Sequence, residues 1–132
     1  YTTLFRSVDF TKLFRSLADI NINSPIAEIT IRNDFIDRDA MDQWFSDYIT
    51  RLKSESSVDA KRRLSMNAVN PKYVLRNHLA QVAIEKAQEK DFSELAKLLQ
   101  ILESPFDEQA QYEEYASPPP PELSAIEVSC SS

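Results

Sequence analysis

The 132-residue sequence contains no glycine, where average usage of about 7% would give roughly nine. A phosphate-binding loop of the Walker or dinucleotide type needs glycine, because its backbone takes positive φ and approaches the phosphate where a Cβ would stand. No such cradle lies within these residues, so nucleotide chemistry has to come from elsewhere. One histidine, His78, and one cysteine, Cys130, fall short of the three or four His/Cys ligands typical of zinc, and a single cysteine closes no disulfide within the chain. No stretch approaches the roughly 18 consecutive apolar residues of a membrane span, and no basic segment followed by an apolar core marks a signal peptide. The expectation is a cytosolic protein without membrane association.

Base is also missing from one end. Residues 103–132 hold seven acids and neither lysine nor arginine, which leaves 15 bases and 14 acids in residues 1–102. The net charge of −6 is thus an acidic tail on a nearly neutral body. That distribution argues against nucleic acid, whose affinity depends on neutralising phosphates. It suits packing on a basic surface, or solubility. With 42% hydrophobic residues the chain is of a size for one domain or one piece of a larger one.

Tyr1-Thr2-Thr3-Leu4-Phe5-Arg6-Ser7 reads as one frame of a sequencing-adaptor oligonucleotide and is set aside as an artefact. The remainder divides into a helical subdomain, residues 8–104, and an acidic, proline-containing tail, residues 105–132, ending in Cys130-Ser131-Ser132. Five helices are expected. Phe10, Leu13, Phe14 and Leu17 form the apolar face of the first, and residues 24–36 are irregular with at most one helical turn. Asp37 or Asp39 caps the second, whose face is Met41, Trp44, Phe45, Tyr48, Ile49 and Leu52. Ser56 or Ser57 caps the third, with Ala60, Leu64 and Ala68 inward and Lys61, Arg62 and Arg63 solvated. Asn70-Pro71 starts the fourth, with Tyr73, Val74, Leu79, Val82, Ala83 and Ala87 on its core stripe. A capping box at Asp91-Phe92-Ser93-Glu94 opens the fifth, which carries Leu95, Leu98, Leu99 and Leu102. Pro105 ends helical order, and Pro118–Pro121 is expected as a polyproline II strut.

Few residues suggest chemistry. Arg62-Arg63-Leu64-Ser65 has the pattern of a basophilic phosphorylation site, but Ser65 falls mid-helix. His78 has no carboxylate at helical spacing and no nucleophile nearby, so a structural or surface histidine is expected. Arg76 or Asn77 is a candidate polar clasp between elements. Tyr112 and Tyr115, three apart among acids, either cover the fifth helix or dock on a partner, and covering the helix is the reading preferred. Cys130 is an isolated thiol among serines.

Asn70-Pro71-Lys72-Tyr73-Val74-Leu75-Arg76-Asn77 and the terminal Val128-Ser129-Cys130-Ser131-Ser132 together resemble the signature ends of the selenoprotein O family, and Leu79-Ala80-Gln81 and Pro105-Phe106 fit the same pattern. The resemblance runs from about residue 8 to 132, the C-terminal end of a longer family chain. It implies a mainly α region at the end of a protein-kinase-like fold, followed by a proline-rich extended tail. It implies an enzyme that transfers AMP from ATP to protein hydroxyls, with ATP and magnesium or manganese held by upstream residues and none by these. No catalytic residue transfers to this sequence. The implied partners are the upstream kinase-like domain of the same chain and the protein substrates, in a bacterial cytoplasm. Cys130 matches the position of selenocysteine in animal members, which implies a redox role through a disulfide to an upstream cysteine. The alternative is an autonomous helical module that binds another protein and takes no part in catalysis.

Overall fold

A computed structural model of the chain describes residues 8–123. The chain divides into two compact units between Asn70 and Pro71. Among the described residues there are helices and turns and no strand, so the fold is mainly α, as expected.

The first unit holds α1 (Phe10–Ala18), two short 3-10 helices (Ile26–Glu28 and Thr30–Asp34), α2 (Arg38–Ser54) and α3 (Asp59–Val69). Asp9 caps α1 by accepting from the Lys12 amide at 3.2 Å, and Asp37 caps α2 by accepting from the Ala40 amide at 3.0 Å. Each satisfies an amide that the first helical turn leaves without a partner. The expected apolar face of α2 goes inward: Met41, Phe45, Ile49 and Leu52 are buried, and Trp44 stacks on Tyr48 with ring centroids 5.3 Å apart. On α1 only Leu13 and Leu17 of the expected face are buried, while Phe10 and Phe14 lie outward and stack on each other at 6.5 Å. The stretch 24–36, which shows no clean period, contributes Ile29, Ile31 and Phe35 to the core. Arg32, in its second 3-10 helix, makes a two-pronged ion pair with Asp42 of α2 at 2.7 and 2.6 Å.

Helix α3 reverses the sequence expectation. Ala60, Leu64 and Ala68 are exposed, and Arg62 is buried. The Arg62 guanidinium donates to the Ile20 carbonyl, to Ser57 Oγ at 2.9 Å and to Asp59 at 2.6 Å. These bonds close the end of α1 against α3 and offset the cost of burying a charge. Ser57 therefore accepts from Arg62 instead of capping, and the N-cap position falls to Val58 without a side-chain bond.

The second unit holds α4 (Asn77–Gln88), α5 (Ser93–Leu102) and two 3-10 helices (Ala110–Ala116 and Pro121–Leu123). The four-residue connection Glu89–Phe92 makes α4 and α5 a helical hairpin. Tyr73, Ala83, Leu98, Ile101 and Tyr115 form its core. Tyr115 thus belongs to this core, and Tyr112 and Ala116, from the stretch expected as tail, pack against it. At the proline run, Pro121 opens a 3-10 turn, so an extended strut does not continue through it.

Helix α4 begins at Asn77, six residues later than Asn70-Pro71 suggests. The reason lies in the hydrogen bonds. Asn70 closes α3, its amide and its side-chain nitrogen both donating to the Met66 carbonyl at 2.9 Å. The Lys72 and Tyr73 amides both donate to the Pro105 carbonyl, at 2.8 and 3.2 Å. A segment whose amides are taken by a distant carbonyl has none left for a helical turn.

Candidate functional site

The sequence motif around Asn70–Asn77 resolves into two structural roles. Asn70 and its neighbour Asn67 meet Arg15 of α1, whose guanidinium donates to both backbone carbonyls at 3.1 and 3.3 Å and places a cation at the C-terminal end of α3. From Pro71 onward the motif belongs to the second unit, where Lys72, Tyr73 and Arg76 fasten residues 105–116 onto the α4–α5 hairpin.

Tyr73, 1% exposed, donates from its hydroxyl to the Gln109 carbonyl at 3.0 Å and accepts from the Gln109 amide at 3.2 Å. Gln109 in turn donates from its side chain to the Ile101 and Ser104 carbonyls, satisfying acceptors that the end of α5 leaves open. Lys72 donates to Glu108 at 2.5 Å and Glu113 at 2.7 Å. Burial disfavours the Lys72 ammonium, but the two carboxylates more than offset it, and the group is held above its ordinary value. The Arg76 guanidinium donates to the Ala116 carbonyl at 3.1 Å, so Arg76 is the inward clasp, while Asn77 is the first residue of α4.

The other fastening point is Tyr115. Its ring meets Tyr112 edge-on at 6.0 Å, and its hydroxyl donates to the buried Glu94 carboxylate at 2.5 Å. Covering of the fifth helix by the tyrosine pair is what the structure shows. The Tyr115 bond, seconded by Lys97 at 3.3 Å and by Lys86, holds the Glu94 carboxyl below its ordinary range. Burial, then the adjoining carboxylate, pushes the Tyr115 phenol up. Glu94 is consequently not the reciprocal member of a capping box. The N-cap of α5 is Phe92, which makes no side-chain bond, and Asp91 accepts from the Ser93 amide at 3.0 Å in a local turn, so the capping box does not form.

Other candidates separate. Ser65 is exposed on α3, but Arg62 of its basic pair is buried and its two terminal nitrogens are bonded elsewhere. Burial, with Arg76 adding to it, lowers the His78 pKa from its ordinary value, and no catalytic partner accompanies it. Among the described residues no group of three or more His, Cys, Asp or Glu side chains could hold a metal ion, and no helix is long and apolar enough to cross a membrane. Cys130 lies outside the described residues.

What the sequence reading missed is an apolar groove of about 370 Å³ along the hairpin. Ala80, Ala83, Ile84 and Ala87 of α4 form one wall, and Leu95, Leu98, Leu99 and Leu102 of α5 the other. Helix α5 turns Glu94, Leu98 and Ile101 to the core and so leaves Leu95 and Leu99 outward, 42% and 57% exposed. The leucine repeat gave a signal for an apolar face, but it did not say which of two adjacent faces meets the unit's own core.

The model of the family described as Protein adenylyltransferase SelO matches residues 3–103. The chain belongs to the SelO family. The match begins at Thr3, inside the stretch set aside as an artefact, and it includes every residue of the clasp up to Ile101 and the whole groove. Among curated relatives, the chain is 56% identical over 124 residues to a protein of Herminiimonas arsenicoxydans named Protein nucleotidyltransferase YdiU. It is 55% identical over the same length to the protein of that name from Burkholderia lata, and 51% identical to that from Paraburkholderia xenovorans. Each alignment covers 94% of this chain but only 24–25% of the relative. This SelO family member therefore spans about a quarter of the length of the relatives it matches, in a family of protein nucleotidyltransferases.

Proposed function

We propose that these residues are the C-terminal helical part of a protein adenylyltransferase with a kinase-like catalytic domain upstream, acting in a bacterial cytoplasm. In the reaction, a Ser, Thr or Tyr hydroxyl oxygen of a protein substrate attacks the α-phosphorus of ATP. The P–O bond to the departing pyrophosphate breaks, and the hydroxyl proton passes to a base. Family membership supports the reading, as do the names of the relatives, protein nucleotidyltransferases. The described residues do not themselves fit ATP or its metal. The groove offers almost no polar atom to a phosphate, the chain has no glycine for a phosphate loop, and among the described residues no three carboxylate, histidine or cysteine side chains gather to hold a metal ion. ATP and its magnesium or manganese therefore belong to the upstream part.

The role of these residues is structural support of that part. The observation that carries this is the apolar surface each unit leaves outward: Leu64 and Val69 on α3, Leu75, Leu95 and Leu99 in the second unit. A self-sufficient interaction module would turn a polar surface to water. Cys130 is proposed as a redox-active thiol on resemblance alone. Oxidation with an upstream cysteine thiol would release two protons and pass two electrons to a peroxide or small-molecule disulfide, and a non-reduced intact mass showing only free thiols would exclude it.

The deciding experiment incubates the full-length protein and an acceptor such as casein with ATP labelled at the α- or the γ-phosphate. Transfer of the α label, dependent on magnesium or manganese, is expected. Transfer of the γ label would mean phosphorylation and overturn the reading. Removal of residues 8–132 should abolish transfer and cooperative unfolding together, whereas full activity after removal favours the autonomous module.

A further inference from the structure

We propose that the α4–α5 groove is a seat for one amphipathic helix contributed by the part of the same polypeptide that lies outside these 132 residues. The inference rests on the preceding reading that the chain is an integral part of a longer enzyme. It goes further by naming the surface and the kind of element that covers it.

The chemistry of the walls selects the occupant. Three alanines at positions i, i+3 and i+7, with Ile84 beside them, line α4, and leucines at i, i+4 and i+7, with Leu98 at their base, line α5. Leu75 closes the groove beside them. The small side chains make it deep, and the leucines on the opposite wall make it almost wholly apolar. An extended peptide laid there would bury amide and carbonyl groups against surfaces that offer no hydrogen bond, each an uncompensated loss of its bonds to water. A helix pairs its backbone internally and brings only side chains to the contact. A groove of about 370 Å³ takes the three to four large apolar side chains that a helix presents over two turns. A nucleotide, an acidic peptide and a phospholipid headgroup all lack a polar partner in it.

The source of the helix follows from the length of chain outside the structure. The groove lies wholly within the family match, yet the aligned residues make up only 25% of the Herminiimonas relative, so about three quarters of such a chain is available to cover it. A tethered segment acts at an effective concentration in the millimolar range and outcompetes a free partner for the same surface. Leu75 and Leu99, each more than half exposed, belong to a contiguous apolar surface of the kind that a returning segment of the longer chain would cover.

The test uses the full-length protein, side-chain footprinting by hydroxyl radicals, and a photo-crosslinking residue in place of Leu99. Labelling of Leu95 and Leu99 should fall about fivefold or more below that of the urea-unfolded protein, the change that takes a residue 57% exposed into a core. The crosslink should run at monomer mass and map to a peptide outside these 132 residues with apolar residues three and four apart. Labelling of Leu99 at about half the unfolded level or above, which its 57% exposure gives with the groove open, overturns the proposal. So does a crosslink at dimer mass, which would make a second copy the occupant, and so does a crosslink to a peptide of alternating pattern. AMP transfer assayed on the same preparation separates the two readings. Loss of α-label transfer with the groove protected overturns the function alone, and an open groove with transfer intact overturns the docking alone.

Discussion

The absence of glycine has an energetic consequence at two helix ends. Helices α2 and α4 both finish in a left-handed residue, Ser56 at φ 52° and Lys90 at φ 64°. At the first, the Ser57 amide donates to the Leu52 carbonyl at 2.9 Å and the Ser56 amide to Lys53 at 3.1 Å. At the second, the Asp91 amide donates to Lys86 and the Lys90 amide to Ala87, both at 2.9 Å. This paired closure normally uses glycine, because a Cβ in the left-handed region crowds the following carbonyl by about 1–2 kcal/mol. Glycine would remove that crowding but loses about 0.5–1 kcal/mol more backbone entropy on folding. The net expectation for Ser56→Gly and for Lys90→Gly is a stabilisation of about 0.5–1 kcal/mol each. The two sites lie in different units and share no partner, so the double variant should sum them to within about 0.5 kcal/mol. Equilibrium urea unfolding measures it, as a higher midpoint at unchanged slope. Ser65→Gly, at an exposed position inside α3, is the control and should lose about 0.5–1 kcal/mol. If Lys90→Gly and Ser56→Gly destabilise as Ser65→Gly does, the left-handed closures carry no strain and the reasoning fails.

Other outcomes concern the clasp. Tyr115→Phe should cost about 1.5–3 kcal/mol, since it removes a hydrogen bond to a buried carboxylate, whereas Glu94→Gln keeps an oxygen that accepts from Tyr115 and should cost less. The same urea titration reads both, and equal costs would refute the assigned donor. Ile101→Ala, at 1% exposure, should cost about 2–5 kcal/mol and Tyr73→Phe about 1–2 kcal/mol, by the same measurement. Stability should also fall at both ends of the pH scale. Glu94 titrates lower in the fold than unfolded, so its contribution is complete above its unfolded value of about 4.3 and is lost as pH falls through the folded one. Tyr115 titrates higher in the fold, so its contribution is complete below about pH 10 and declines above. Lys72, also raised, loses its contribution as pH rises through its folded value. In Tyr115→Phe the acid-side decline should be shallower, because the main cause of the Glu94 shift is gone.

Where one side of a helix is strongly apolar and an Asp precedes it, pattern and structure agree: α2 and its inward face are legible from the residues alone, and Asp37, one of the two caps expected, is the one used. Arg76 as a clasp and the tyrosine pair over α5 were legible too, because a charged or phenolic group among apolar neighbours has to find a partner when buried. The late start of α4 was not. It depends on the Pro105 carbonyl, some thirty residues away in sequence, taking the amides of Lys72 and Tyr73, and no local propensity encodes that. Glu94 misled for the same reason: Tyr115 claims the carboxylate that a capping box would use. The groove was half legible, since leucines at helical spacing were visible, but the choice of Leu98 and Ile101 over Leu95 and Leu99 as the core side is made by tertiary packing.

Helix α3 gives the sharpest separation between pattern and placement, and it can be tested. An amphipathic reading puts Leu64 in the core and Arg62 in water, so it predicts a large cost for Leu64→Ala and almost none for Arg62→Ala. The structure reverses both. Leu64 is 74% exposed, and its truncation should fall within about 0.5 kcal/mol in these 132 residues. Arg62→Ala leaves the Ile20 carbonyl and Ser57 hydroxyl without their donor and Asp59 without its cation, at a cost of about 3–5 kcal/mol. Arg62→Lys should recover little, because one ammonium does not span three acceptors arranged for a planar fork. The same order measured in the full-length protein carries a second meaning. If Leu64→Ala becomes costly there while Arg62→Ala is unchanged, the longer chain covers the outer face of α3, and the amphipathic pattern of this helix was written for a neighbour outside these residues. A cost for Leu64→Ala exceeding that for Arg62→Ala in the 132 residues alone would refute the placement of both.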